Sequence, residues 1–195
     1  MVKNAQQKRS EKLRQEILDN ALEIGLQEGF EELSIRKITK KMQYSTGIIY
    51  HHFKNKQEII DAIVTTETLL LYSQISELLD DTKDVIANLE TVFHHIIKLA
   101  FKEPEKYNLV VSQKYSRPKL ERTKWIDQLS KALKKGMQDG LLREVDPDKA
   151  AFSIWSSFIG FNLMISRSNG LTLEEVEAMF RVQFDLIMKG ILDYQ

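Results

Sequence analysis

Along this 195-residue chain apolar side chains return every three or four positions, and only three prolines and eight glycines break the rhythm. That spacing is the 3.6-residue period of a helix with one apolar face, whereas a half-buried strand needs a period of two. No alternating run of β-branched residues and no Asn-Gly hairpin occurs. The expected fold is all-α, with about nine helices and no strands.

Local signals place the helices. Leu13, Ile17, Ala21 and Ile24 mark a first one that stops near Gly29. Ser34 is placed to cap a short helix holding Ile35 and Ile38, and Ser45 to cap a second after a break at Gln43–Tyr44. Asn55 with Glu58 resembles a capping box that opens a longer helix running to about Leu79. Val85 to Phe101 follows, then a helix with Pro104 as its first residue, then Pro118 to Gln138 with Gly140 as its stop. Asp146 and Pro147 open the next, and "TLEE" at 172–175 is a capping box for the last.

A composition of 43% hydrophobic and 29% charged residues is that of a globular protein with a proper core. No cysteine is present, which excludes disulfides, thiol catalysis and Cys-based zinc sites and fits a reducing cytoplasm. The basic N-terminus runs into a charged amphipathic pattern and does not read as a signal peptide. Ala150 to Ser166 carries no charge over 17 residues, but its Ser, Gly and Asn content predicts a buried helix, not a membrane span. The net charge of zero hides an asymmetry. Residues 1–56 hold 11 Lys/Arg against 7 Asp/Glu, and residues 57–195 hold 17 against 21. A basic head, 1–55, on an acidic body, 56–195, suggests a polyanionic partner met by the head.

The stretch "SIRKITKKMQYSTGIIYHHFKNK", residues 34–56, concentrates this charge: six Lys or Arg, two His and no acid. Two short helices with a tight turn form a helix-turn-helix candidate that needs a third helix, Leu13 to Leu26, to bury its inside. Ile35, Ile38, Met42, Ile49, Tyr50 and Phe53 are the expected small core. Arg36, Lys37, Lys40, Thr46, Gly47, Ile48, His51 and Lys54 are left outside. The N-terminal turn of such a second helix can reach base edges in a DNA major groove while nearby cations grip phosphates. Gly47, with no side chain, lets the backbone come close to the duplex.

"LSIRKITKKMQYSTGIIYHHFKNKQEIIDAIV" resembles the DNA-binding segment of TetR-family transcriptional regulators at Arg36, Ile38, Ser45, Gly47, Tyr50, His52, Phe53 and Lys56. "GMQDGLLREVDPDKAAFSIWSSFIGF" resembles the family's penultimate helix region, and chain length and layout agree. The resemblance implies that Arg36, Ser45, Thr46, Gly47 and Ile48 face bases or the groove floor. It also implies that Tyr50, His52 and Lys56 meet phosphates, Lys56 at a helix N-terminus. Met42-Gln43 departs from the family's Ala-Gly at the turn; a left-handed residue there costs a non-glycine roughly 1 kcal/mol. Ile48 stands where a hydroxyl is frequent and would offer an apolar contact, such as to a thymine methyl.

The body holds Phe93, Ile97, Tyr107, Tyr115, Trp125, Trp155 and Phe158, the material of a small-molecule pocket and equally of a core. Ser153, Ser157 and Gly160 form a small-residue strip, and with Phe180, Phe184 and Ile187 of the last helix they are the expected dimer interface. The resemblance implies a homodimer joined by a four-helix bundle, hence an operator of double-stranded DNA with two half-sites. It also implies an unidentified small-molecule effector that releases a repressor, with no cofactor. The adjacent pairs His51-His52 and His94-His95 make poor metal sites, so none is assigned. "SIRK" matches Ser-x-x-Lys by chance, and Gly-x-Ser-x-Gly, Gly-rich phosphate loops and His-Glu-x-x-His are absent, so nothing argues for an enzyme. The alternative is a helical small-molecule-binding or interaction protein with degenerate DNA binding, favoured by Met42-Gln43.

Overall fold

The computed structural model describes residues 5–80, 82–112, 114–115, 121–168 and 170–192, with the side chains of 121–123 left aside. Among these residues the chain is all-helical. Its elements are α1 (Ala5–Glu28), α2 (Ile35–Met42), α3 (Thr46–His52), α4 (Lys56–Leu78), α5 (Val85–Lys102), α6 (Pro104–Val110), α7 (Glu121–Gln138), α8 (Pro147–Arg167) and α9 (Leu173–Lys189). A single antiparallel bridge joins Leu142 to Leu192. α1 begins two turns before the first periodic apolar residue, over side chains that stay exposed. The expected start of α7 at Pro118 lies outside the described residues.

The ends are where local chemistry puts them. The Ser34 hydroxyl accepts the Lys37 amide at 3.2 Å, and Asp146 accepts the amides of Asp148 and Lys149. Thr172 and Glu175 form the reciprocal capping box. At α4 the box is displaced: Asn55 accepts the Glu58 amide at 3.0 Å, but Glu58 reaches back to the Lys54 amide at 2.6 Å, one residue before the cap. Gly140 stops α7 at φ +72°, letting Leu142 close back on the Gly136 carbonyl.

α1, α2 and α3 make the head, whose inside is Ile17, Ala21, Ile38, Ile49 and Phe53, all at or near zero exposure. Tyr50 was expected in that core and is not there: it is 57% exposed. Ile49 and Phe53, four apart, take the inward stripe of α3, and one residue further round the helix Tyr50 turns about 100° away. In the body α5 is the central element, touching α4, α6, α7, α8 and α9. The uncharged stretch 150–166 lies in α8, whose one face is buried through Ala151, Ile154, Trp155, Phe158, Asn162 and Ile165. Its other face is open in the protomer, through Phe152, Ser153, Ser157, Gly160 and Met164. No helix among the described residues is long and apolar enough to cross a membrane.

Candidate DNA-reading face and body cavity

The turn between α2 and α3 is set by Gln43, at φ 58° and ψ 33°, whose amide closes on the Thr39 carbonyl. A left-handed residue is what the tight turn requires, and here a glutamine adopts it. Ser45 sits at the N-cap of α3 in extended conformation, but its side chain makes no capping bond, so the hydroxyl is unspent. Thr46, Gly47 and His51 are exposed beside it, and Ile48 is half-buried. A Cβ on Gly47 would meet nothing closer than the Ser45 hydroxyl at 3.8 Å. Nothing among the described residues of the protomer therefore demands glycine there.

The cations divide into two groups. Lys37 lies 2.8 Å from Glu28 and 3.7 Å from Glu32, Lys41 pairs with Glu23, and Lys56 donates to the Glu31 carbonyl at 3.1 Å. Half of the six are thus held by α1 and the loop behind it. Arg36, Lys40 and Lys54 are exposed, and their charged ends have no carboxylate within 4 Å among the described residues. Exposed pairs of this kind contribute little to stability and open readily to a competing phosphate. His51 and His52 do not diverge as expected of neighbours on a helix: their rings meet edge-on at 5.1 Å. Burial, the His51 ring and Arg14 hold the His52 imidazole below its ordinary pKa. No group of His, Asp and Glu among the described residues could hold a metal ion. In "SIRK", the Ser34 hydroxyl is an N-cap and the Lys37 ammonium faces Glu28, so the two side chains serve separate structural ends.

The body contains a cavity of about 520 Å³ between α4, α5, α7 and α8, a size suited to a small organic ligand. Its wall is a run of stacked rings: Tyr72 on Trp125 at 4.4 Å and 24°, and Trp125 on Trp155 at 5.7 Å and 11°. Phe93, Leu89, Leu129 and Ile75 complete the apolar lining. The Trp125 indole N–H is buried without an acceptor among the described residues, a state that costs about 1–3 kcal/mol until water or a ligand supplies one.

Of the residues the sequence assigned to a pocket, Phe93, Trp125 and Trp155 line this cavity, and Ile97, Tyr107, Tyr115 and Phe158 do not. Phe158 stacks behind the wall, its ring centroid 4.0 Å from that of Phe93. Ile97 and Tyr107 are wholly buried core residues, and burial pushes the Tyr107 phenol far above its usual range. Tyr115 sits instead where head meets body. Its ring lies 5.3 Å from Phe30, its hydroxyl donates to Glu105 at 2.7 Å, and its carbonyl accepts from Gln57 at 2.9 Å. Burial and Glu105 push that phenol up to about 12. Sequence reasoning missed Tyr72, Gln128, Lys131 and Lys135. The signal available was the spacing of Trp125, Gln128, Ala132 and Lys135, which puts a lysine on the same face as apolar residues.

Ser153, Ser157 and Gly160 are all exposed, and with Met164, 73% exposed, they form one stripe at i, i+4, i+7 and i+11 of α8. A Cβ on Gly160 would meet nothing within 4 Å. Phe180 and Phe184 turn the other way: both are buried against the core, with Phe180 5.9 Å from Phe158 and Phe184 6.3 Å from Phe93, while Ile187 is half-buried. The open apolar stripe of α9 is instead Met179, Val182 and Leu186. Of the expected interface residues of α9, Phe180 and Phe184 are thus core and Ile187 is half-buried.

Residues 17–63 match the family profile described as bacterial regulatory proteins, tetR family. The transcriptional repressor KstR2 of Mycobacterium tuberculosis is 24% identical over 135 residues, spanning 63% of this chain and 68% of that protein. The fold matches a TetR-family transcriptional regulator from Pectobacterium atrosepticum with a TM-score of 0.76, at 18% identity over 96% of this chain and 97% of that one. It also matches AibR, solved in complex with isovaleryl coenzyme A and operator DNA, with a TM-score of 0.66 at 24% identity over 86% and 95% of the two chains.

Proposed function

This chain belongs to the TetR family of bacterial transcriptional regulators, and from that premise we propose that it is a cytoplasmic homodimeric repressor released from its operator by a small molecule. The observation that carries the reading is the split of α3. Ile49 and Phe53 fix the helix from behind, while Thr46, Gly47, Tyr50 and His51 stand open in front. Arg36, Ser45, Thr46, Gly47 and Ile48 face the major groove; Tyr50, His52 and Lys54 reach phosphates along its edge. Lys56 joins them by exchanging the Glu31 carbonyl for a phosphate. The left-handed Gln43 keeps the turn's geometry, which removes the feature that favoured a head no longer able to read DNA.

Release works through α4. Its N-terminus at Lys56 carries the head, and its last turns supply Tyr72, Ile75 and Ser76 to the cavity, about 24 Å away at 1.5 Å per residue. A ligand that fits the cavity in only one tilt of α4 favours one spacing of the two heads. Moving the population from 99:1 to 1:99 takes about 5.5 kcal/mol of differential binding. That AibR was solved with both a ligand and operator DNA supports this pairing of sites.

The test is fluorescence anisotropy on a labelled fragment from upstream of the chain's own gene, on a shuffled fragment, and on the winners of a random-sequence selection, each at low and physiological salt. A preference of about 10³ or more for one sequence at physiological salt is expected. Equal, salt-steep binding to every sequence, selected ones included, would overturn the reading.

A further inference from the structure

The cavity has a chemical bias. Of its sixteen lining residues none is Asp or Glu, in a chain that carries 28 of them, and two are lysines. Lys131 and Lys135 lie four apart on one face of α7, where like charges repel. Neither has a carboxylate within 4 Å among the described residues. Lys135 is in the last turn of α7, where the helix dipole favours a cation; Lys131 lies a turn earlier, beyond most of that effect. The other polar residues of the wall do not balance them. The Asn88 amide is spent on the loop before α5, accepting the Asp80 amide at 3.0 Å and donating to the Asp80 carbonyl at 2.9 Å. Gln128 and Ser76 are neutral. The remainder is ring and hydrocarbon.

We infer that the cavity takes an apolar organic acid, its hydrocarbon or aromatic body against Trp125 and Trp155 and its anionic group between Lys131 and Lys135 at the rim. The inference rests on the reading of this cavity as the effector site and adds the class of effector. An anion held by both ammonium groups relieves their mutual repulsion and accepts charge-assisted hydrogen bonds. The volume leaves room for on the order of 15–20 non-hydrogen atoms at the ~30 Å³ a water molecule occupies in the liquid. A neutral ligand of the same body would leave the lysine pair unmatched; a cation would add a third like charge.

The chain supplies its own reporter, since its only two tryptophans both line the cavity. The experiment is titration of the full chain, followed by tryptophan emission, with two pairs of probes below their aggregation limits: decanoate against decanol, and 4-phenylbutyrate against 4-phenylbutanol. The pairs separate a chain-like from an aromatic body. At least one acid is expected to bind about tenfold or more tighter than its alcohol, and the double variant Lys131→Met, Lys135→Met to bring the two within about twofold. Both lysines are exposed, so this variant folds, and an unchanged melting temperature verifies it. Alcohols that bind as well as the acids, or an acid preference that survives in the variant, overturn the anion preference and leave the cavity an effector site. No response to any of the four overturns the effector site as well.

Discussion

Gln43 occupies the left-handed region that a residue with a Cβ enters at a cost of roughly 1–2 kcal/mol, and it is exposed, with its amide on the Thr39 carbonyl. Gln43→Gly relieves that cost and gives back part of it as chain entropy in the unfolded state. The expected result is a gain of about 0.5–1 kcal/mol in denaturant unfolding, with DNA affinity unchanged. A loss of stability would mean that the glutamine side chain makes up its own strain. The departure at this position was visible in the sequence, and so were its geometric demand and a cost small enough for a packed unit to tolerate. Elsewhere at this scale the sequence misleads where partners are remote. Lys37 reads as an outward cation, yet Glu28 of α1, nine positions away, holds it, and Glu23 holds Lys41 from eighteen positions away. Exposure separates the rest. Thr46→Ala on α3 is expected to change which sequence binds best, whereas Lys54→Ala should weaken binding to specific and shuffled DNA alike and lower the salt slope by about one. Anisotropy with both variants on both fragments decides it; equal losses everywhere from both would refute the division of roles.

Among the elements, caps and stops were legible because they are local: Ser34, Asn55, Asp146, Thr172 and Gly140 each act within a few residues of themselves. Which face of a helix is buried was less so. Tyr107, Ile97 and Phe158 are apolar or aromatic on helices with neighbours on several sides, and spacing alone does not choose among those neighbours. The joint between head and body shows what only three dimensions supply. Phe30 follows α1, packs over Gly25 and meets Tyr115 of the loop after α6. A Cβ on Gly25 would lie 2.4–2.6 Å from three Phe30 ring atoms, and Phe30 is 1% exposed, so the ring cannot step aside without displacing Tyr115. Gly25→Ala is therefore expected to cost about 1–3 kcal/mol as overpacking. Its denaturant midpoint should fall with the slope unchanged. Adding Phe30→Leu should restore part of the loss; two additive losses would place the strain elsewhere.

For the whole molecule, the one-sided exposure of α8 and α9 is the feature a single protomer does not account for. Ser153, Ser157, Gly160 and Met164 line one open stripe, Met179, Val182 and Leu186 another, and Gln183 ties the two helices by donating to the Ser157 carbonyl and hydroxyl at 3.1 and 3.2 Å. Small residues beside exposed methionine, valine and leucine suit a close helix crossing with a second copy, and a two-fold axis would make each stripe meet its own counterpart. Substituting Val182→Glu and Leu186→Glu together puts like charges across that axis without touching the core, since the two are 61% and 66% exposed. Sedimentation should then give a monomer with an unchanged helical circular dichroism spectrum. On DNA the parent chain should prefer two half-sites over one by ~10²–10⁴, the gain of a tethered second contact, and the variant should bind both fragments alike. A dimer that survives both charges would move the interface to another open apolar set, such as Leu69 and Leu70 of α4, and the heads would then be spaced by α4 itself.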